Sequence, residues 1–165
     1  MHLQFRNYRP TDRDVCTAVF RTNVPRFFHE DEFNDFLQFI DTSGCPYFVV
    51  VSEAALLGCG GFGIRSGSDT ADLCWGMVDA RQHRRHIGEF LLLARLYKIV
   101  SETNSKFVRL GTSQLTAGFF QRFGFTTQSH MPDGIAKGLD DVQMHLRLTD
   151  DIRASIQRRW QECTR

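Results

Sequence analysis

Between Trp75 and Leu92 the sequence reads Trp-Gly-Met-Val-Asp-Ala-Arg-Gln-His-Arg-Arg-His-Ile-Gly-Glu-Phe-Leu-Leu. A strand ending at Val78 runs into a basic loop, and a strongly apolar helix begins near Ile87. The first turn of a helix carries backbone N–H groups without partners and a partial positive charge. A loop wrapped over that end holds a pyrophosphate through the main chain. Arg81, Arg84 and Arg85 add positive potential around the same anion. Gly88 keeps the first turn bare, where a side chain would obstruct a phosphate lying on the backbone. A solvated basic loop ahead of an ordinary helix looks the same, so the segment needs a second signal. His83 and His86 suggest a metal by their spacing, but no third ligand stands suitably placed and the arginines repel a cation. No metal is expected.

The elements that must position this loop follow from periodicity. Leu3 to Tyr8 alternates as a first strand, and Pro10-Thr11-Asp12 starts a helix whose face carries Val15, Ala18, Val19 and Thr22. A second helix spans about Glu30 to Asp41, with Phe33, Phe36, Leu37 and Ile40 at helical spacing. Tyr47 to Val51, Ala55 to Ile64 and Ala71 to Val78 read as three strands. Ile87 to Val100 is a helix apolar around most of its surface, the pattern of a packed interior helix. Phe107 to Leu110 is a fifth strand, Leu115 to Phe123 a short helix, and Phe125 to Ser129 a sixth strand. Val142 to Leu146 closes the sheet, and Asp150 to Glu162 forms an amphipathic helix capped by Thr149 or Asp150. The order is β-α-α-β-β-β-α-β-α-β-β plus a terminal helix. It predicts an α/β fold of mixed α+β character, with helices on both faces of a mixed sheet. Residues 1–148 form one domain and 149–165 a helical extension packed on it.

The Trp75–Leu92 segment resembles the acetyl-CoA loop of the GNAT superfamily of N-acetyltransferases, Q/R-x-x-G-x-G/A ahead of an apolar helix. In that register His83 falls where Gln or Arg is usual, His86 at the first glycine and Gly88 at the second. The contacts involved are mostly backbone N–H groups, so the loop serves with His86 in place if its φ and ψ are ordinary. The second signal lies further on. Phe107 to Phe125 resembles the next strand and helix of that family, with the aromatic pair Phe119-Phe120 followed by Gly124-Phe125. The resemblance covers residues 3 to 147. It implies a GNAT-like, mostly antiparallel sheet of six to seven strands, and acetyl-CoA as acyl donor to a primary amine in a ternary complex.

Site residues are implied with it. The fourth and fifth strands of the family splay apart around the pantetheine arm, and a backbone N–H of Met77 or Val78 polarises the thioester carbonyl while their side chains line the channel. The donor set is Met77, Val78, His83, Arg84, Arg85, His86, Ile87, Gly88, Glu89, Ser113, Phe119, Phe120 and Arg122. Asp72, eleven residues before His83, stands where some members carry a catalytic glutamate. It is the expected base, on one strand face with Cys74 and Gly76. The alternative is a surface carboxylate ending a loop, and His29, Glu30 and Asp31 are other choices of base. Many members place a proton-donating tyrosine where this chain has Phe120. The thiolate then leaves unassisted, or Ser113, Cys74 or His130 protonates it. Coenzyme A is a workable leaving group either way, its thiol resembling cysteine with a pKa of about 8.5. Phe27, Phe28 and Glu30 are expected at the acceptor, whereas Phe33, Phe36 and Phe39 suit a core.

Bulk composition excludes several classes. The chain has 165 residues, a net charge of +1, 42% hydrophobic residues and 15 phenylalanines. That near-neutral balance gives no field for nucleic acid or an anionic membrane. No apolar run approaches the roughly 20 residues of a membrane span. The first residues lack a signal-peptide layout, and five cysteines without C-x-x-C spacing read as free thiols of a cytoplasmic protein. Ile152, Ile156 and Trp160 form a stripe that either joins a homodimer or covers the domain. The rival reading is a non-catalytic acyl-CoA-binding or regulatory module; a nucleic-acid contact at Arg81 to His86 is disfavoured by the charge balance.

Overall fold

A run without polar side chains suits a strand covered on both faces, and Tyr47–Val51 lies one place in from the edge of a seven-stranded sheet. The computed structural model describes residues Met1–Arg165. Its elements are β1 (Gln4–Asn7), α1 (Arg13–Thr22), α2 (Phe33–Thr42), β2 (Tyr47–Ser52), β3 (Ala55–Ile64), β4 (Thr70–Val78) and α3 (Ile87–Glu102). Then come β5 (Phe107–Thr112), α4 (Ala117–Gln121), β6 (Thr126–Ala136), β7 (Leu139–Arg147) and α5 (Asp150–Cys163). The sheet order is β1-β2-β3-β4-β5-β7-β6. Every neighbouring pair is antiparallel except β4 and β5.

That one parallel pairing is short. It joins Thr70–Asp72 to Phe107–Arg109 and no further. Beyond it β5 stays paired to β7 as far as Thr112, and β4 stays paired to β3 as far as Val78. The two strands therefore part, leaving an opening along Leu73–Val78.

The faces of the sheet carry separate layers. Leu92, Leu96 and Ile99 of α3 and Ile156 of α5 pack with Phe62, Ala71, Val108 and Met144 on one side. Cys16, Val19 and Phe20 of α1 and Phe36 of α2 pack with Tyr47, Val49, Cys59 and Met77 on the other. Val15, expected on the buried face of α1, is instead 46% exposed; Cys16 and Phe20 take that role. The aromatic spacing in α2 serves the core, with Phe36 buried and Phe33 and Phe39 packed beside it. Thr149 caps α5, its hydroxyl accepting from the Ile152 N–H at 3.3 Å. Trp160 lies against Phe90 and Tyr97 of α3 at 5.4 and 5.5 Å, so the apolar stripe of α5 covers its own domain. All five cysteines are free, and no helix is long and apolar enough to cross a membrane.

Three boundaries differ from the sequence reading. Helix α4 is confined to Ala117–Gln121, because the Ser113 carbonyl first accepts from Thr116 and Ala117 in a turn. Strands β6 and β7 extend past residues 129 and 142 into a long hairpin. Pro132 and Gly134 disguise that extension in sequence, and register shifts between Met131 and Ala136 accommodate it. Strand β4 carries a bulge: Met77 faces Cys59 and Cys74 faces Gly61, so β4 holds one residue more than β3 there. Trp75 takes a left-handed φ of 46° at that point.

Candidate functional site

The turn after β4 is built by Asp79. Its carboxylate accepts from the Arg81 N–H at 3.0 Å and from Arg81 Nη2 at 2.6 Å. The Arg81 guanidinium holds this buried carboxyl below its usual range. Arg81 is thereby neutralised, so it does not supply the free positive charge expected of it. The Val78 carbonyl accepts from Asn23 Nδ2 at 2.9 Å and lies 3.1 Å from His83 Nε2. His83 thus turns back under the loop, its ring edge against Phe27 at 5.2 Å.

Beyond His83 the main chain is bare. The N–H groups of Arg84 through Glu89 find no acceptor within the protein, and Phe90 makes the first bond of the helix, to the His86 carbonyl. Arg84 and His86 both have positive φ, 62° and 61°. An ordinary backbone at His86 is therefore not what the loop uses. His86 takes the left-handed conformation that glycine would, and histidine is enriched there among residues with a side chain. Its imidazole is 83% exposed, with Nδ1 at 3.3 Å from Glu89 Oε2, so it does not cover the N–H groups. Arg85 reaches Gln82 Oε1 at 2.5 Å, and Arg84 is exposed with no partner. A Cβ on Gly88 would meet Phe119 at 3.7 Å, ordinary contact. The protein itself therefore leaves room at Gly88, and any demand for glycine comes from what binds there.

This loop stands at the end of the opening between β4 and β5. The bulge changes which residues face it. Asp72 lies opposite Gly63 and Cys74 opposite Gly61, on the face covered by α1 and α2. Gly76, expected to share that face, faces α3: its Cβ would lie 2.6 Å from Arg95 Nη2. The extra residue at Trp75 reverses the alternation. Met77 is buried among α1 and α2, so its side chain does not line the channel, whereas Val78 packs beside Ile87, Phe90 and Leu91 near Gly88. Gly76 is the exposed main-chain position of the opening.

Across the opening, Ser113 is buried and its Oγ accepts from the Leu115 N–H at 3.3 Å. Phe119 and Phe120 meet edge-on at 5.1 Å, and Phe120 leans on Phe125 at 5.8 Å. The Arg122 guanidinium lies over the Phe119 ring at 5.6 Å. Gly124 has φ 93°, the turn that lets Phe125 enter the core.

On the α1 and α2 side, Arg109 Nε donates to Asp72 Oδ1 at 2.7 Å. Arg65 approaches Asp72 Oδ2 only to 3.9 Å, beyond hydrogen-bond reach. One carboxylate oxygen is held and the other keeps its lone pairs. Glu30 is paired with Arg21 at 3.0 Å. Phe28 is committed to packing against Phe20 at 5.1 Å and Trp75 at 6.1 Å, so of the aromatic pair only Phe27 keeps an edge near the loop. No cluster of three or more His, Cys, Asp or Glu side chains converges on a point. Two surface cavities border this loop, one lined by Met1, His86, Glu89 and Arg159, the other by Val15, Leu56, Asp79 and Gln82.

Sequence reasoning missed Arg95, Tyr47 and the bulge itself. Tyr47 donates its hydroxyl to the Trp75 carbonyl at 2.9 Å, holding the bulge from one side. Arg95 had a signal: one charge amid Leu91-Leu92-Leu93-Ala94 and Leu96.

No protein-family model and no curated protein matches the chain. Solved structures do. An assigned GNAT-family acetyltransferase from Desulfovibrio desulfuricans superposes with a TM-score of 0.72 at 19% identity, covering 89% of this chain and 99% of its own. YncA of Salmonella typhimurium, an assigned acetyltransferase solved with its cofactor acetyl-CoA, gives 0.71 at 20%, covering 91% and 96%. An aminoglycoside 6'-N-acetyltransferase complexed with coenzyme A gives 0.71 at 15%, covering 87% and 96%. The chain has the fold of the GNAT acetyltransferases.

Proposed function

We propose that this protein transfers an acetyl group from acetyl-CoA to a primary amine within a ternary complex. The observation that carries the reading is the bare row of N–H groups from Arg84 to Glu89 at the mouth of the β4–β5 opening. Such a row at a helix start binds pyrophosphate, and Arg84 adds charge beside it. The opening suits a narrow, mostly apolar arm, because its flanks carry Val78 and Phe119, both within 4 Å of a Cβ placed on Gly88. Bound acetyl-CoA in YncA and coenzyme A in the aminoglycoside enzyme, on the same fold, support this donor.

Asp72 is the proposed base. Its Oδ2 takes the proton of the attacking amine, directly or through water, while Arg109 fixes the carboxylate through Oδ1. Ser113 keeps its hydroxyl hydrogen for the departing sulfur, since its oxygen is the acceptor in the turn. Phe120 has no proton to give. The five free thiols suit a reducing cytoplasm. Calorimetry with coenzyme A, paired with thiol release from acetyl-CoA across amines, amino acids and peptides, tests the reading. Absence of coenzyme A binding overturns it. Binding without release for any acceptor favours a non-catalytic acyl-CoA-binding module, the reading to which the missing acid at Phe120 points.

A further inference from the structure

Arg95 is the one charged residue among the nine buried positions of α3 and is only 4% exposed. Its Nε donates to the Leu91 carbonyl at 3.3 Å and Nη1 to the Gly61 carbonyl at 3.4 Å. Both are long for a charged donor, which usually sits at about 2.7–2.9 Å from its acceptor. No carboxylate pairs with it. The titratable groups that face it are Tyr47 of β2, Cys59 of β3 and Cys74 of β4, and none of them is a carboxylate. Burial pulls the guanidinium down to about 10, so at neutral pH it remains a cation. A buried, unpaired charge is costly, and two weak carbonyl contacts offset little of that.

Its position gives the charge a use. A Cβ on Gly76 would lie 2.6 Å from Nη2, and one on Gly60 3.0 Å from Cζ. The guanidinium therefore rests against the bare main chain of the β4 bulge. Gly76 is exposed, lies outside the β3 register and has no partner on β5. No fully buried side-chain nitrogen or oxygen lacks a hydrogen bond. Nη2 makes no hydrogen bond, and it is the guanidinium nitrogen nearest Gly76, the exposed main-chain position of the opening.

We propose that Arg95 is a catalytic residue, whose Nη2 stabilises the negative charge formed on the donor thioester and then on the departing sulfur. The inference rests on the acetyl-CoA reading above. The amine nitrogen attacks the thioester carbon, forming C–N, and the C=O π pair moves onto oxygen. That pair returns, the C–S bond breaks, and its electrons leave on sulfur as coenzyme A thiolate. The amine proton passes to the base. Arg95 moves no proton; it lowers the energy of the anion in a site of low dielectric, where a fixed charge acts strongly. A fixed cation answers the absence of a proton donor at Phe120.

The test is the titration of the thiol of bound coenzyme A, followed by thiolate ultraviolet absorbance in the wild type, Arg95→Met and Arg95→Lys. In the wild type the bound thiol should titrate at least about one pH unit below free coenzyme A, the shift of a nearby cation. Arg95→Met should return it to the free value or above, and Arg95→Lys should fall between. With a reactive amine, kcat of Arg95→Met should drop about 100-fold with KM for acetyl-CoA within threefold. Its melting temperature should hold or rise, because an apolar chain of similar length replaces an unpaired charge. If Arg95→Met does not fold, Arg95→Gln carries the same expectation. Identical thiol titration in wild type and variant, with both binding coenzyme A, overturns the role of Arg95 and leaves the donor site standing. A wild type that binds no coenzyme A overturns the donor site itself.

Discussion

His86 and Gly88 occupy one turn of the loop, yet they answer to different constraints. His86 holds φ at 61° with its ring in solvent. A left-handed residue with a Cβ costs about 1–2 kcal/mol, while glycine costs about 0.5–1 kcal/mol in lost chain freedom. His86→Gly should therefore stabilise the fold by about 0.5–1 kcal/mol, seen as a higher urea midpoint. A lower midpoint would refute the backbone assignment. Gly88 has space for a methyl within the protein, and alanine is the better helix former. Gly88→Ala should leave the melting temperature unchanged or raised while weakening coenzyme A binding by about tenfold or more, worth about 1.4 kcal/mol. Unchanged affinity would mean that the phosphate lies elsewhere. At Asp72, replacement by Asn removes the lone pairs that take a proton but keeps a partner for Arg109. A fall in kcat of about 100-fold, with KM for acetyl-CoA preserved, is expected of a lost general base. Retention of kcat within twofold would assign Asp72 to the ion pair alone.

At the scale of elements, the opening depends on a bulge that Tyr47 braces from one face and Arg95 underlies from the other. Tyr47 donates to the Trp75 carbonyl from beneath α1 and α2, and Arg95 lies against Gly76 from beneath α3. Tyr47→Phe should lower stability by about 1 kcal/mol, the worth of one buried hydrogen bond, read from the urea midpoint; a neutral result would leave the bulge held by packing alone. The chain entering β2 has to lie close: a Cβ on Gly61 would collide with the Pro46 carbonyl, which explains the glycine run of β3 better than flexibility does. Much of this architecture was legible. Helix α3 announces itself by a surface apolar around most of its circumference, and the β4-loop-α3 passage by a basic break between a strand and that helix. The bulge was not, because Trp75 is a strand-forming residue held at positive φ by contacts from β2, α1 and α2 that are distant in sequence. Its reversal of facing explains why Asp72 and Cys74 were read correctly relative to each other, and Gly76 was not. The extension of β6 and β7 toward their turn was missed for a local reason. Its Pro132 and Gly134 are turn formers, and the contacts that tie that segment to β7, among them the Asp140 carboxylate accepting from the Asp133 N–H at 3.0 Å and from His130, come from residues further along the chain.

Across the whole molecule, carboxylates fix two turns, Asp12 joining the entry of α1 to the first strand and Asp79 closing the start of the donor loop. Asp12 accepts from Nη1 and Nη2 of Arg6 at 2.8 and 2.9 Å, and Asp79 accepts from the Arg81 side chain and the Arg81 N–H. In each case the hydrogen-bonded arginine holds the carboxyl below its usual value, against an opposing effect of burial. A carboxyl depressed in the folded state contributes stability that is fully present above its unfolded pKa of about 3.9. That contribution is lost as the pH falls through the folded value. Asp79→Asn should therefore be less stable than the wild type at neutral pH, and the difference should shrink once the pH drops below about 3.9. The urea midpoints of the two proteins, followed from neutral pH into acid, measure it. A gap that stays constant would show that Asp79 acts as a neutral hydrogen-bond acceptor and that its charge adds nothing. Because the same carboxylate shapes the loop whose N–H groups face the donor, coenzyme A affinity of Asp79→Asn should fall with its stability at neutral pH. Unaltered affinity in the destabilised variant would separate the turn that Asp79 builds from the anion site that follows it.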